Sequence, residues 1–359
     1  MIEVSNQYID EAINGLGNLV GVKENIPYNL LNKPFKKGEI KECMEAIANY
    51  LGLPIKINLF YVSSDYSDST EEQKFTSNQL VKTNNRGKGI EGITAQVLLP
   101  SYLPLFGTSE LINFPIDVKV SKNIRGHLDT FVALIAHELS HVLLHSLRYE
   151  KKDNELYTDI LPLLLGFKEV IKDGRQIRKE DTVLTGLYTT TTHIITTTYG
   201  YLSDEQFSFV YDKIDRILKQ MRKNKKKLNR RINFLQKQIF LFEKKILKFK
   251  EYIKSLDKNP PKKINQKDAQ KIVLLHQPGY IEEFEHFVKT IKEKLQNYQG
   301  YKSIRHYYQG WYSESNKDLI SFSSNIKKNI ESFEEDLKNI EKNMSFFCKF
   351  KVNLKVLFK

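Results

Sequence analysis

His137-Glu138-Leu139-Ser140-His141 closes the apolar run Leu128–Ala136 and carries the residue types of metal-assisted chemistry. On a helix, positions i and i+4 lie one turn apart on the same face, so the imidazoles of His137 and His141 can hold one ion together. Glu138 follows the first ligand and can swing its carboxylate to a water beside that ion. This is the HExxH arrangement of zinc hydrolases, with the glutamate as general base. His145 extends the row by one more turn. Eight residues span about 12 Å of helix, so His145 cannot share an ion with His137 and reads as a packing or hydrogen-bonding residue at the helix end.

A catalytic zinc needs a third protein ligand and an open fourth position. The segment Asp153-Asn154-Glu155-Leu156-Tyr157-Thr158-Asp159 follows shortly downstream. Asp153 or Asn154 can cap a helix start, which sets Glu155 and Asp159 on one face. One carboxylate can bind the metal while the other accepts the N–H of a ligating imidazole and fixes its tautomer. Spacing alone leaves open which does which. His193, Tyr157 and Tyr188 are the polar side chains considered for stabilising a tetrahedral oxyanion.

HELSHVLLH followed by ExxTDxLPLLLG resembles the metallopeptidases typified by ImmA and IrrE, whose pattern is HExxHxxLH and then ExxA[N/D]xFAxxLL. The likeness covers roughly residues 128–167. It implies an intracellular zinc-dependent protease that cuts a protein substrate. His137, His141 and Glu155 would be ligands to Zn2+, Glu138 the catalytic carboxylate, and Asp159 the partner behind a ligand. The Glu-x-x-x-Asp spacing is also similar to that of other gluzincins. Thr158, Leu161 and Pro162 depart from the family pattern, and no helix-turn-helix pattern of the kind often fused to that family is present. Pro162 removes a backbone bond and biases Leu161 away from α geometry, which predicts a kink just after Asp159.

A chain of 359 residues suggests two domains. Its two cysteines, Cys43 and Cys348, are far apart and lack metal spacing, as in a reducing compartment. Met1–Gln7 has neither the basic nor the apolar region of a signal peptide, and no apolar run reaches spanning length. These features lead us to expect a cytoplasmic protein. The net charge of +13 is local: residues 213–258 hold 17 Lys and Arg against 4 Asp and Glu, and the remainder holds 39 of each sign.

The elements that must position the motif suggest an α+β class: a minimal zincin-like metallopeptidase domain over 1–202, then an all-α coiled-coil arm. A helix near Lys41–Leu51 and strands at Ile55–Val62, Gly92–Leu99 and Phe114–Val120 precede the HExxH helix. Residues 63–91 read as loop. In a zincin an extended substrate pairs with an edge strand beside the HExxH helix, so one of the three strands should be that edge. The Thr-rich stretch 189–198 reads as strand or buried loop.

Ser203-Asp204-Glu205-Gln206 is a capping box, with Leu202 and Phe207 able to staple it. From there a basic helix over 203–258 repeats Ile214, Leu218, Met221, Leu228, Ile232, Leu235, Ile239, Phe242, Ile246, Phe249, Ile253 and Leu256 at 4,3 spacing, broken only at Lys225. Asn259-Pro260-Pro261 ends it. Residues 259–359 supply two further helical patterns, Ile281, Phe284, Val288, Ile291, Leu295 and Tyr298, then Leu319, Phe322, Ile326, Ile330, Phe333, Leu337, Ile340 and Met344. They end in an amphipathic basic tail that reads as a strand, a frayed terminus or a stretch resting on anionic lipid. The pattern fits an antiparallel hairpin arm or a parallel homodimer. A protein substrate is the expected partner, with the arm recognising it or forming oligomers. The alternative is a non-catalytic coiled-coil scaffold whose basic helix contacts nucleic acid or an acidic partner.

Overall fold

A computed structural model describes residues 4–62, 74–76, 94–184, 190–258, 279–300 and 311–342. They form a mixed α+β chain, mostly helical, with a small sheet and one long helix. Two compact units are present, 1–220 and 221–359.

In the first unit, α1 (Asn6–Val20) starts where Ser5 accepts the N–H of Tyr8, and it buries Ile9, Ala12, Ile13 and Leu16 at helical spacing. After α2 (Asn29–Lys36) and α3 (Ile40–Leu51) come the strands β1 (Lys56–Val62), β2 (Lys74–Thr76), β3 (Ala95–Leu98) and β4 (Pro115–Ser121). Their order is β1-β4-β3-β2, with β1 parallel to β4 and the other pairs antiparallel. Helix α4 (Leu128–Ser146) is buried from Thr130 to Ser146 and packs against α3, β3 and two later helices, α5 (Glu155–Pro162) and α6 (Lys168–Gly174). A helix apolar all round belongs at the centre of a core, and α4 is that centre.

The sheet differs from expectation at one flank. The stretch read as loop contains β2, so the edge on that side is Lys74–Thr76 and not one of the three expected strands. β3 is paired on both sides over Gln96–Leu98. The polar composition around β2 gives a three-residue pairing no periodic signal of its own. A hairpin of β5 (Gln176–Leu184) and β6 (Thr190–Thr198) follows α6. Its second strand resolves the Thr-rich stretch, whose β-branched residues suit a pleated backbone.

The kink expected just after Asp159 falls later. α5 continues through Pro162 into a π-helical turn, Leu163–Phe167, and the break comes at Leu165 and Gly166, the latter at φ 97°. The carbonyls of Leu164 and Gly166 accept the N–H groups of Lys23 and Ile26, at 2.8 and 2.9 Å. The helix thus breaks where another segment supplies donors and where a glycine can take the left-handed backbone. A Cβ at 166 would lie 2.3 Å from the carbonyl oxygen of Glu24, so no other residue fits.

Helix α7 (Asp204–Lys258) opens with a reciprocal cap: Ser203 N–H donates to Oε1 of Gln206 and Gln206 N–H to Oγ of Ser203. The division between units falls inside α7, after Gln220. Its opening turns belong to the first unit, with Val210, Ile214 and Leu218 buried. In the second unit, Leu228, Ile232, Leu235, Ile239, Phe242, Ile246 and Phe249 bury a seam with Val288, Ile291 and Leu295 of α8 (Tyr280–Gly300) and Leu319 and Ile326 of α9 (Trp311–Lys342). Lys250 pairs with Glu285 and Glu243 with Lys292, so α7 and α8 run antiparallel. The C-terminal tail and Met344 lie outside the described residues, as do the side chains of Leu256, Tyr298, Phe333, Leu337 and Ile340. No described helix is long and apolar enough to cross a membrane.

Candidate metal centre

The centre sits where α4 faces α5. Asn154 caps α5 by accepting the N–H of Leu156 at 3.0 Å, which fixes the first turn and with it Glu155. Oε2 of Glu155 lies 3.2 Å from Nε2 of His137 and 3.4 Å from Nε2 of His141. One ligand atom from each of the three residues falls within a 4.8 Å cluster. Two imidazole nitrogens and one carboxylate oxygen are the donors zinc takes in an open catalytic site, and this buried group could in principle hold a metal ion.

Asp159, one turn along α5, meets the other nitrogen of the same imidazole. Its Oδ1 is 2.7 Å from Nδ1 of His137. With Nδ1 donating in that bond, Nε2 is the nitrogen that faces Glu155 and His141 and is left for a metal. The backbone N–H groups of Tyr201 and Leu202 donate to Oδ2 of Asp159. Gly200, at φ 89°, lets the chain come this close: a Cβ there would be 3.2 Å from the carboxylate. Arg175, itself buried, holds the same segment through Asp204 and the carbonyl of Leu202, each at 2.8 Å. The ring of Tyr201 stacks on His137, with centroids 5.9 Å apart.

The electrostatics favour a positive charge at this point. Burial by itself lowers the pKa of His137, but the carboxylates of Asp159 and Glu155 outweigh it and push the value up to about 10. For His141 burial wins, with His137 adding to the lowering. Burial raises the Glu155 carboxyl, yet hydrogen bonds from the two imidazoles bring it down to about 2.

Glu138 is fully buried, and its Oε2 accepts the backbone N–H of Val97 in β3 at 3.1 Å. Its negative charge is felt by His137. The carboxylate therefore sits between α4 and the sheet. The backbone row expected to be open beside it is shared with β2, which pairs with Gln96–Leu98.

Other expected residues are placed elsewhere. Tyr157 is buried against Tyr8 and Tyr149, with ring centroids 6.2 and 5.7 Å away, on the side of α5 that meets α1. Tyr188 lies outside the described residues. His193 pairs through its backbone with Asp181, and its side chain is outside them too. His145 meets Asp153 at 3.0 Å, as a helix-end residue. Tyr201, Gly200 and Arg175 had no local motif to flag them, apart from a glycine standing just before a capping box. A small pocket lined by Ala133, His137, Asp159, Tyr201 and Phe207 touches the Nδ1 side of the centre and does not reach His141, Glu155 or Glu138. The chain matches no protein-family model, no curated protein and no solved structure.

Proposed function

We propose that the chain is a zinc-dependent metallopeptidase of zincin-like build that cleaves a protein substrate. The observation that carries this reading is the convergence of His137, His141 and Glu155 within 4.8 Å, with Glu138 the next residue along the same helix. The donor set fits zinc, and Asp159 leaves Nε2 of His137 as the ligating atom. A zinc ion bound there supplies Lewis acidity, polarising the scissile carbonyl and lowering the pKa of water. The Glu138 carboxylate takes the proton of the attacking water and hands it to the leaving amine. Its burial strengthens each of these interactions by excluding bulk solvent. Asp159 holds His137 in one tautomer and one orientation throughout. The coiled-coil arm recognises or scaffolds the substrate.

The test is Glu138→Gln. Gln is nearly isosteric and leaves the ligand set intact, so metal content and fold should persist. Loss of the general base should cut hydrolysis by about 10²–10⁴-fold. Comparing new protein N-termini in host cells carrying wild type or Glu138→Gln would identify the substrate. Unchanged cleavage by the metal-loaded variant sinks the mechanism.

A further inference from the structure

The outward face of α7 carries side chains that a solvated coiled-coil surface does not need. Taking the buried Leu235 and Ile239 as d and a, the heptad assigns Lys223, Arg230, Lys237 and Lys244 to f, the position pointing straight away from the seam. Four consecutive f positions are therefore cationic. The adjoining b and c positions hold Phe240 with Leu247, and Phe234 with Leu241. Their exposures are 56%, 39%, 53% and 50%. Each pair is seven residues apart, so the apolar groups form two short rows flanking a basic ridge. Phe240 and Leu247 also line a groove between α7 and α8 in which Lys244, Lys289 and Lys292 are balanced by Glu243, Glu285 and Glu293, so the uncompensated cations lie on the rest of the f ridge.

Charges nearer the seam have partners within the arm. Lys245 pairs with Glu334, Lys250 with Glu285 and Glu243 with Lys292. Among the described residues, Lys223, Arg230 and Lys237 have no such carboxylate. Segments 259–278, 301–310 and 343–359 each contain more Lys and Arg than Asp and Glu, so none of them complements this ridge in charge. Residues 63–73 are acidic, but Tyr66 is their one large apolar side chain, too little for two apolar rows.

We infer that this face is a docking surface for an acidic amphipathic helix of a partner protein. Heptad-spaced apolar residues offer holes that another helix fills with its own knobs, and acids flanking those knobs neutralise Arg230 and Lys237. A second copy meeting the same face would set one basic ridge against another. Nucleic acid would engage the cations and leave Leu241 and Leu247 without an apolar counterpart. A bilayer takes up a helix through one continuous apolar face with cations at its rim, whereas here the cations at f run between the two apolar rows. The inference stands apart from the metal centre and does not depend on it.

The experiment is fluorescence anisotropy on the full chain with a labelled synthetic helix about three heptads long, Leu at a and d and Glu at the flanking positions. A scrambled peptide of identical composition is the control. The full chain should bind the amphipathic peptide at least about tenfold more tightly than the scrambled one. Phe234→Ser with Leu241→Ser should weaken binding by about tenfold or more. Arg230→Glu with Lys237→Glu should do likewise and flatten its salt dependence. Both variants change exposed positions, so unchanged helical circular dichroism confirms that the arm is folded. Equal binding of the two peptides, or indifference to the Phe234/Leu241 change, overturns the inference in favour of a merely solvated basic face. Anionic vesicles or duplex DNA binding through these residues while the peptide does not would also overturn it. So would self-association, seen by sedimentation, that the Phe234/Leu241 change abolishes.

Discussion

Oδ1 of Asp159 lies 2.7 Å from Nδ1 of His137, while Oδ2 of the same carboxylate receives the backbone N–H groups of Tyr201 and Leu202. One side chain of α5 thus joins a candidate metal ligand on α4 to the loop that precedes α7.

Asp159→Asn tests that joint. Three donors point at this carboxylate, and an amide presents one acceptor oxygen and two donors of its own. The misfit should tilt His137 and weaken metal binding by about 10–100-fold, read by competition with a chromophoric chelator. Glu155→Ala, which removes a ligand outright, should abolish stoichiometric metal. Full affinity in Asp159→Asn, or full metal in Glu155→Ala, would reassign the two acids.

Gly200→Ala should act on the same joint from the other side. The left-handed backbone costs about 1–3 kcal/mol for a residue with a Cβ, and the added carbon lies 3.2 Å from the Asp159 carboxylate. Gly38, at φ 78° with nothing within 4 Å, is the control that shows backbone strain alone. Metal affinity should fall in Gly200→Ala and stay unchanged in Gly38→Ala. Equal metal affinity in both would remove Gly200 from the account of the centre.

What could be read from the chain follows how local each relationship is. HELSH and the Glu155–Asp159 pair obey a one-turn rule, and Asn154 marks the start of α5, so these residues point toward one another from pattern alone. The clamp on Asp159 is different. Its donors are backbone N–H groups, which every non-proline residue owns, and they arrive from 42 residues downstream. Of the residues involved, only Gly200 is of a type that the clamp itself requires. Likewise Pro162 looked like the helix breaker, although the break needed both Gly166 and the donors of Lys23 and Ile26. Local chemistry names the breaker; tertiary contacts choose the place.

Ile239→Asp combined with Ile246→Asp should unravel the arm. Both side chains are almost fully buried in the α7–α8–α9 cluster, at 2% and 3% exposure, and an unpaired charge there costs several kcal/mol. Helical circular dichroism should drop while metal stoichiometry holds. Retained helicity would mean that the seam does not support the arm, and loss of metal would mean that the two units unfold together.

Acid sensitivity has an identifiable contributor in Glu169. Burial raises its pKa, but the ammonium of Lys168 and the hydroxyl of Tyr211, each 2.8 Å from its oxygens, prevail and hold it below the ordinary 4.5. A depressed folded-state value means stability that is present above pH 4.5 and lost as pH falls through the lowered value. Glu169 is 44% exposed, so screening keeps this contribution under about 1 kcal/mol. Denaturation midpoints for Glu169→Gln should show a shallower decline below pH 4.5 than wild type. An identical slope would exclude this carboxylate as a source.

The opening turns of α7 decide where the chain can be cut. Tyr211 bonds Glu169, Lys213 pairs with Asp10 at 2.6 Å, and the buried Lys168 takes Asp215 as one of its two counter-charges at 3.3 Å. A fragment ending at 202, just before the capping box, would strip these partners away and open the floor beneath Val210, Ile214 and Leu218 to water. One ending at 220 keeps them all. The reach of the first unit is measured by its last buried side chain, Leu218, and not by the cap at which α7 begins.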